Sequence, residues 1–284
     1  MKSRYRVTAI AVLLLAAVGF APQAEAVSKP PMSTTNATVT ADAADQPGRV
    51  AYVTLLSTGF EPGQGFVIAA LEPQQGWVAS GVNAAWAGVS GANAHSGTQH
   101  QRLTNDALVP VNTQRVVLSP LVAGVLPSTP STTTQWINIS NDQGADYDVF
   151  GQAPSQAFIT WRVKFHFSDG TGAPPGMIFI LDDIGGGALA FINTGVIWNT
   201  GVYTELKVQF DPALGQVRYF YGGALIHTGV IYAGNVVEQV GSVNDNFQLG
   251  GETADFDDIV LIDTPTDPTN ANIKSWGRIK KAYR

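Results

Sequence analysis

An all-β fold, two antiparallel sheets stacked as a sandwich, is what this sequence predicts, and three observations predict it. Apolar and polar residues alternate at period two over several runs, as they do when one face of a strand is buried. Glycine-rich turn signals separate these runs at short spacing. Valine, isoleucine and the aromatics are abundant while lysine and glutamate are scarce, a composition that favours strands over surface helices.

The chain opens with Lys2, Arg4 and Arg6, then the apolar run Ala9 to Phe20, then Ala24-Glu25-Ala26. This is the pattern of a cleaved export leader over residues 1–26, with an apolar run too short to span a bilayer comfortably. Residues 27–48 are rich in Ser, Thr, Ala, Asp and Pro without apolar periodicity and read as a disordered linker. The sandwich is expected over residues 49–264.

Within it, Ile159 to Phe167 places apolar residues at every odd position and polar ones at every even position. Tyr203 to Phe210 repeats the pattern, with Leu206, Val208 and Phe210 on the buried side. Met177 to Leu181 is continuously apolar and is expected to be a central strand. Ser168-Asp169-Gly170, Gly185-Gly186-Gly187, Asp211-Pro212 with Gly215, and Gly222-Gly223 mark turns. No helix of ordinary length is expected before residue 265. Residues 265–284 form a second linker and a basic, aromatic tail in which Ile273, Trp276 and Tyr283 share helical spacing among Lys274, Arg278, Lys280, Lys281 and Arg284. Such a tail suits an anionic surface or an export machine.

The formal net charge is −6 and cysteine is absent. An exported chain without cysteine has no disulfides and relies on its core or a bound metal. The acidic centre lacks the basic surface that displaces phosphate counterions, so a nucleic-acid partner is not expected. No later segment has the length of a transmembrane span.

Gly59-Phe60-Glu61, Gly76-Trp77, His95-Ser96-Gly97-Thr98-Gln99, Arg102-Leu103, the run Tyr203 to Val208 with Asp211, Gly215 to Gly223, and Phe256-Asp257-Asp258-Ile259 stand in an order that resembles exported bacterial concanavalin A-like lectin/glucanase domains of the laminin-G-like branch. Tyr203 stands where that pattern usually has tryptophan. The resemblance covers about residues 49–263 and implies a jelly roll that binds an extracellular polysaccharide or surface glycan without cleaving it.

First and last strands are expected to be neighbours, which would bring Glu61, Asp257 and Asp258 together. With backbone carbonyls around Ser96-Gly97 these carboxylates would hold a structural Ca2+, a hard cation that takes several oxygens. Arg162, Lys164 and His166 share one face of a strand and are expected to meet an acidic glycan, with Trp136, Trp198, Tyr219 and Tyr221 as platforms for sugar rings. The alternative readings are a polysaccharide lyase or glycoside hydrolase and a purely structural surface protein. The string E-x-D-x-x-E of the glucanases is absent, and two catalytic carboxylates are not identifiable. Gln99 to Arg102, and His166 with Tyr219, supply lyase residue types without the family's spacing.

Overall fold

The structure is a computed structural model. It describes residues 53–80, 84–106, 108, 110, 113–122, 129–156, 158–167, 176–246 and 251–263. The expected leader, N-terminal linker and C-terminal tail lie outside the described residues, as does the Ser168-Asp169-Gly170 turn.

Fifteen strands run in chain order: β1 Val53–Thr58, β2 Val78–Ala79, β3 Ala87–Ser90, β4 His100–Thr104, β5 Thr113–Leu118, β6 Ser131–Ile139, β7 Ala145–Ala153, β8 Phe158–His166, β9 Met177–Asp183, β10 Leu189–Ile197, β11 Thr204–Asp211, β12 Gln216–Tyr221, β13 Ala224–Val230, β14 Gln239–Asn246 and β15 Thr253–Asp263. The helices among the described residues are three-residue 3-10 turns, and none is long and apolar enough to cross a membrane. The strands form two antiparallel sheets of the kind the resemblance implied. One has eight strands in the order β13-β12-β11-β6-β15-β4-β3 with β1 also on β15; the other has seven, β10-β9-β8-β7-β14-β5-β2.

The odd-even reading places the core correctly. Trp161, Val163 and Phe165 of β8, and Leu206, Val208 and Phe210 of β11, are all buried between the sheets. Gly185 to Gly187 turns β9 into β10, and Gly222-Gly223 turns β12 into β13, all five at positive φ, where only glycine sits without strain. Asp211 accepts the amides of Ala213 and Leu214 at 3.1 Å each and so caps the turn to β12.

Met177 to Leu181 is one correction. β9 lies next to the edge of its sheet, between β8 and β10, with Phe179 and Leu181 partly exposed. Its continuous apolar run arises because Ile178 and Ile180 face the core while Phe179 and Leu181 form an apolar outer surface.

β15 positions the loops. Its first half, Thr253 to Phe256, pairs with β4, and its second half, from Ile259, pairs with β1. A bulge between Asp257 and Val260 marks the change of partner, and Asp258 sits there at φ 47°. A bulge bends the strand and re-aims its side chains. The end of β1 and the approach to β4 therefore meet at Asp257 and Asp258.

Candidate functional site

The seven-stranded sheet carries a ladder of charges on its outer face. β7 contributes Asp146 and Asp148, which alternate with the inward Ala145, Tyr147 and Val149. β8 contributes Arg162, Lys164 and His166, opposite β7 in an antiparallel register that sets Lys164 against Asp148. β14, on the other side of β7, sets Asp245 against Asp146. Arg162 Nε donates to Asp148 Oδ2, and its Nη2 forms an ion pair with the same oxygen. Lys164 Nζ donates to Asp146 Oδ2 at 2.9 Å and stands 3.6 Å from Asp245 and 3.8 Å from Asp148. His166 Nδ1 lies 2.8 Å from Asp146 Oδ1, which also accepts the Phe167 amide at 2.9 Å.

The carboxylates are dry: Asp148 is 0 % exposed. Burial pushes the Asp148 carboxyl up to about 6, with Arg162 and Lys164 offsetting only part of the cost. Burial also raises Asp245. For Asp146 the same burial is outweighed by the hydrogen bond from His166 and the charge of Lys164, which hold it below the usual carboxylate range. Lys164 loses solvation but is raised by Asp148 and Asp146. Beside the ladder, the outer residues of β9 and β10 make an apolar shelf of Phe179, Leu181, Leu189 and Phe191. Phe191 leans over the ladder, its ring centroid 4.9 Å from Lys164 Nζ and 5.6 Å from Arg162 Cζ. It remains 37 % exposed.

Glu61, Asp257 and Asp258 come together as their sequence positions suggest, and all three grip the segment His95 to Gln99. Glu61 Oε1 accepts the amides of Thr98 at 2.8 Å and Gln99 at 3.0 Å, and its Oε2 accepts the Thr98 hydroxyl at 2.7 Å. Asp257 Oδ2 accepts the amides of His95 at 2.9 Å and Ser96 at 3.1 Å, while Oδ1 accepts that of Asp258 at 2.8 Å. Asp258 Oδ1 accepts the Ser96 hydroxyl at 2.7 Å, and Oδ2 meets His95 Nδ1 at 2.8 Å. Where calcium would need carbonyl oxygens, the loop turns its amides inward, so each carboxylate oxygen of the trio faces a hydrogen. That donor set does not fit a cation, and the described residues hold no cluster of three or more His, Asp or Glu arranged for a metal.

Trp136 lies on the outer face of the other sheet, opposite Glu205 and Asp257. The His95 ring stacks on it at 3.9 Å and 13°, so one face is already covered. Tyr203 stands 5.3 Å from His95. Its hydroxyl is pushed well above the ordinary tyrosine range by burial and by Asp255 and Asp257. Asp255 takes Arg102 at 2.7 Å and lies 3.1 Å from His100. Tyr219, Tyr221 and Trp198 are corrections: they are 1 %, 7 % and 3 % exposed and belong to the core. On β12 the inward residues are Val217, Tyr219 and Tyr221, which leaves Arg218 and Phe220 outside.

The predicted residues therefore divide among three places. Arg162, Lys164 and His166 stand together; Glu61, Asp257, Asp258 and Trp136 gather around His95; the two tyrosines are interior. Sequence reasoning missed Asp146, Asp148, Asp245, Phe179 and Phe191. The signal for the first two was the alternation Asp146-Tyr147-Asp148-Val149, read at period two.

No protein-family model matches the chain, and no curated protein matches it. Solved structures that overlay on it include a sialidase (10 % identity, 76 % of this chain and 21 % of that one, TM-score 0.47). Others are the receptor binding domain of botulinum neurotoxin C/D mosaic serotype (12 %, 80 % and 51 %, 0.46) and the endo-beta-1,4-glucuronan lyase from the fungus Trichoderma reesei (9 %, 76 % and 96 %, 0.46). The chain thus spans 21 % of the sialidase and 51 % of the toxin domain. At these identities and scores no residue role, ligand or activity passes from them to this chain.

Proposed function

We propose that this chain is an exported, lectin-like protein of the cell surface or extracellular space. It binds carbohydrate without cleaving it, on the outer face of the seven-stranded sheet. The observation that carries this reading is the apolar shelf of Phe179, Leu181, Leu189 and Phe191 lying directly beside fixed rows of hydrogen-bond donors and acceptors. A sugar ring has an apolar C–H face and a rim of hydroxyls, and it needs both kinds of surface side by side. Because Arg162, Lys164 and His166 are already held by carboxylates, little rotamer freedom is left to lose on binding. The leader pattern of residues 1–26 supports export, and the basic tail of residues 273–284 supports retention at an anionic surface. A glycan array tests the proposal: saturable binding with no new reducing or unsaturated ends is expected, and silence across the array overturns it.

A second reading, polysaccharide cleavage, has one observation behind it. His95 is held by Asp258, stacked on Trp136 and placed beside Tyr203, an orientation in which an imidazole acts as a general base. Product formation that His95→Ala abolishes would favour this reading over the first.

A further inference from the structure

We infer that the ligand of the outer face is an uncharged polyhydroxylated glycan, in place of the acidic one that Arg162, Lys164 and His166 suggest when read alone. The inference rests on the binding reading above and names its ligand class.

Charge decides it. The three basic groups stand against three carboxylates, Asp146, Asp148 and Asp245. With the carboxylates ionised, they outnumber Arg162 and Lys164, so the two fixed cations leave no surplus of positive charge on the ladder. Among the described residues of this face, every Lys and Arg is already paired with a carboxylate. A uronate or sulfate arriving here would have to take Arg162 from Asp148 or Lys164 from Asp146, and each theft leaves a buried carboxylate without its counter-charge. Removing one member of a buried pair costs far more than a solvent-exposed contact returns. The incoming anion would also face the field of the three aspartates.

A hydroxyl meets no such obstacle. It donates and accepts, so it can bridge a guanidinium N–H and a carboxylate oxygen without unpairing either. Arg162 carries five N–H bonds, of which that of Nε is donated to Asp148. Among the described residues, neutral polar groups border the ladder: Gln114, which donates to Asp245 at 3.2 Å, the Gln152–Gln239 pair at 2.5 Å, and exposed Asn193 on β10. Phe191 has the two cations against it, which leaves its exposed part to meet the C–H face of a sugar.

The test is isothermal titration of the full chain against two sets of polymers at 50 and 500 mM NaCl. The neutral set is β-glucan, xylan, galactomannan and dextran; the acidic set is polygalacturonate, alginate and heparin. Binding to a neutral member is expected, with less than about a twofold change in Kd across the salt range, since no ion pair forms. Phe191→Ala is expected to weaken it at least tenfold with an unchanged melting temperature, and Phe191→Leu to weaken it less. Binding confined to the acidic set, with a steep loss in salt, overturns the inference and leaves the carbohydrate reading standing. Wild-type affinity in Phe191→Ala overturns the placement on this face. No binding to any polymer overturns the carbohydrate reading itself.

Discussion

Glu252, just before β15, gives the sharpest quantitative prediction. It is 2 % exposed, and burial pushes its carboxyl up to about 8. The amides of Gly144 and Ala145 pull it part-way down without reaching hydrogen-bonding geometry, and the neighbouring Asp142 and Asp146 push it up. Tyr147, itself raised by burial and then by Glu252, lies nearby, with Arg115 beside that tyrosine and hydrogen-bonded to Asn244 at 3.0 Å. The folded chain therefore holds a proton that the unfolded chain releases near 4.5. The contribution of Glu252 to stability is fully present below pH 4.5, falls as pH rises towards 8, and levels off above it. At about 1.4 kcal/mol per pH unit the total loss is about 5 kcal/mol, and roughly 3 kcal/mol of it is in place at pH 7. Glu252→Gln keeps the shape and removes the titration. Urea unfolding of both proteins at pH 5, 6, 7 and 8 should show the variant gaining on wild type by about 1 kcal/mol per unit. Other groups that titrate in this range, Asp148 among them, cancel in the difference. Two parallel stability curves would refute the reasoning, because they would mean that Glu252 is solvated or paired in the folded state.

Glu61→Gln should loosen the His95 to Gln99 loop, costing about 1–2 kcal/mol and a few degrees of melting temperature, with faster proteolysis at residues 91–99. Hydrogen bonds from Gln99 and Thr98 overcome burial to hold Glu61 below the ordinary range, so its contribution is present above pH 4.5 and disappears as pH falls through the lower, folded value. Chelator should leave the wild-type melting temperature unchanged, since N–H and O–H groups already fill the Glu61, Asp257 and Asp258 oxygens; a fall of several degrees would instead put a cation there. Gly229→Ala should cost about 1–3 kcal/mol, because a Cβ would stand 2.7 Å from the Asp182 carboxylate. That carboxylate joins the sheets by accepting the Val230 amide at 3.1 Å and contacting His227 at 2.7 Å. Unchanged stability in urea would show that this clasp does not hold the two edges together.

Alternation made the inward residues of β8 and β11 readable because each polar residue between them has a charged or amide side chain that the core rejects. β12 defeated the same rule: Val217-Arg218-Tyr219-Phe220-Tyr221 has one charged residue in five, so its parity follows from pairing with β11 and cannot be taken from the string. The convergence of Glu61 with Asp257 and Asp258 was legible, since it needs only that the first and last strands be neighbours. Their role was not, because sequence does not say whether a loop turns its carbonyls or its amides inward. The ladder was half legible. Arg162, Lys164 and His166 announce a polar face, but what makes the face dry is the opposition of β7 and β14, a long-range pairing that no local pattern encodes.

Stability does not account for that ladder. Three carboxylates crowd two strands, with Asp146 directly across from Asp245, a like-charge opposition that costs energy in any sheet. Ion pairs taken out of water return little more than their desolvation consumes, and well-packed apolar side chains in their place are often as stable or more so. Phe179 and Leu181 on the adjoining strand show that this surface accepts apolar residues. What the ladder supplies that apolar residues cannot is direction: guanidinium, ammonium, imidazole and carboxylate groups fixed in place at the rim of an apolar shelf. Fixed direction has no value for holding two sheets together, which Trp161, Phe165 and Tyr147 already do from the opposite side. On the proposed reading, its value lies with something outside the chain that arrives with hydroxyl groups of its own.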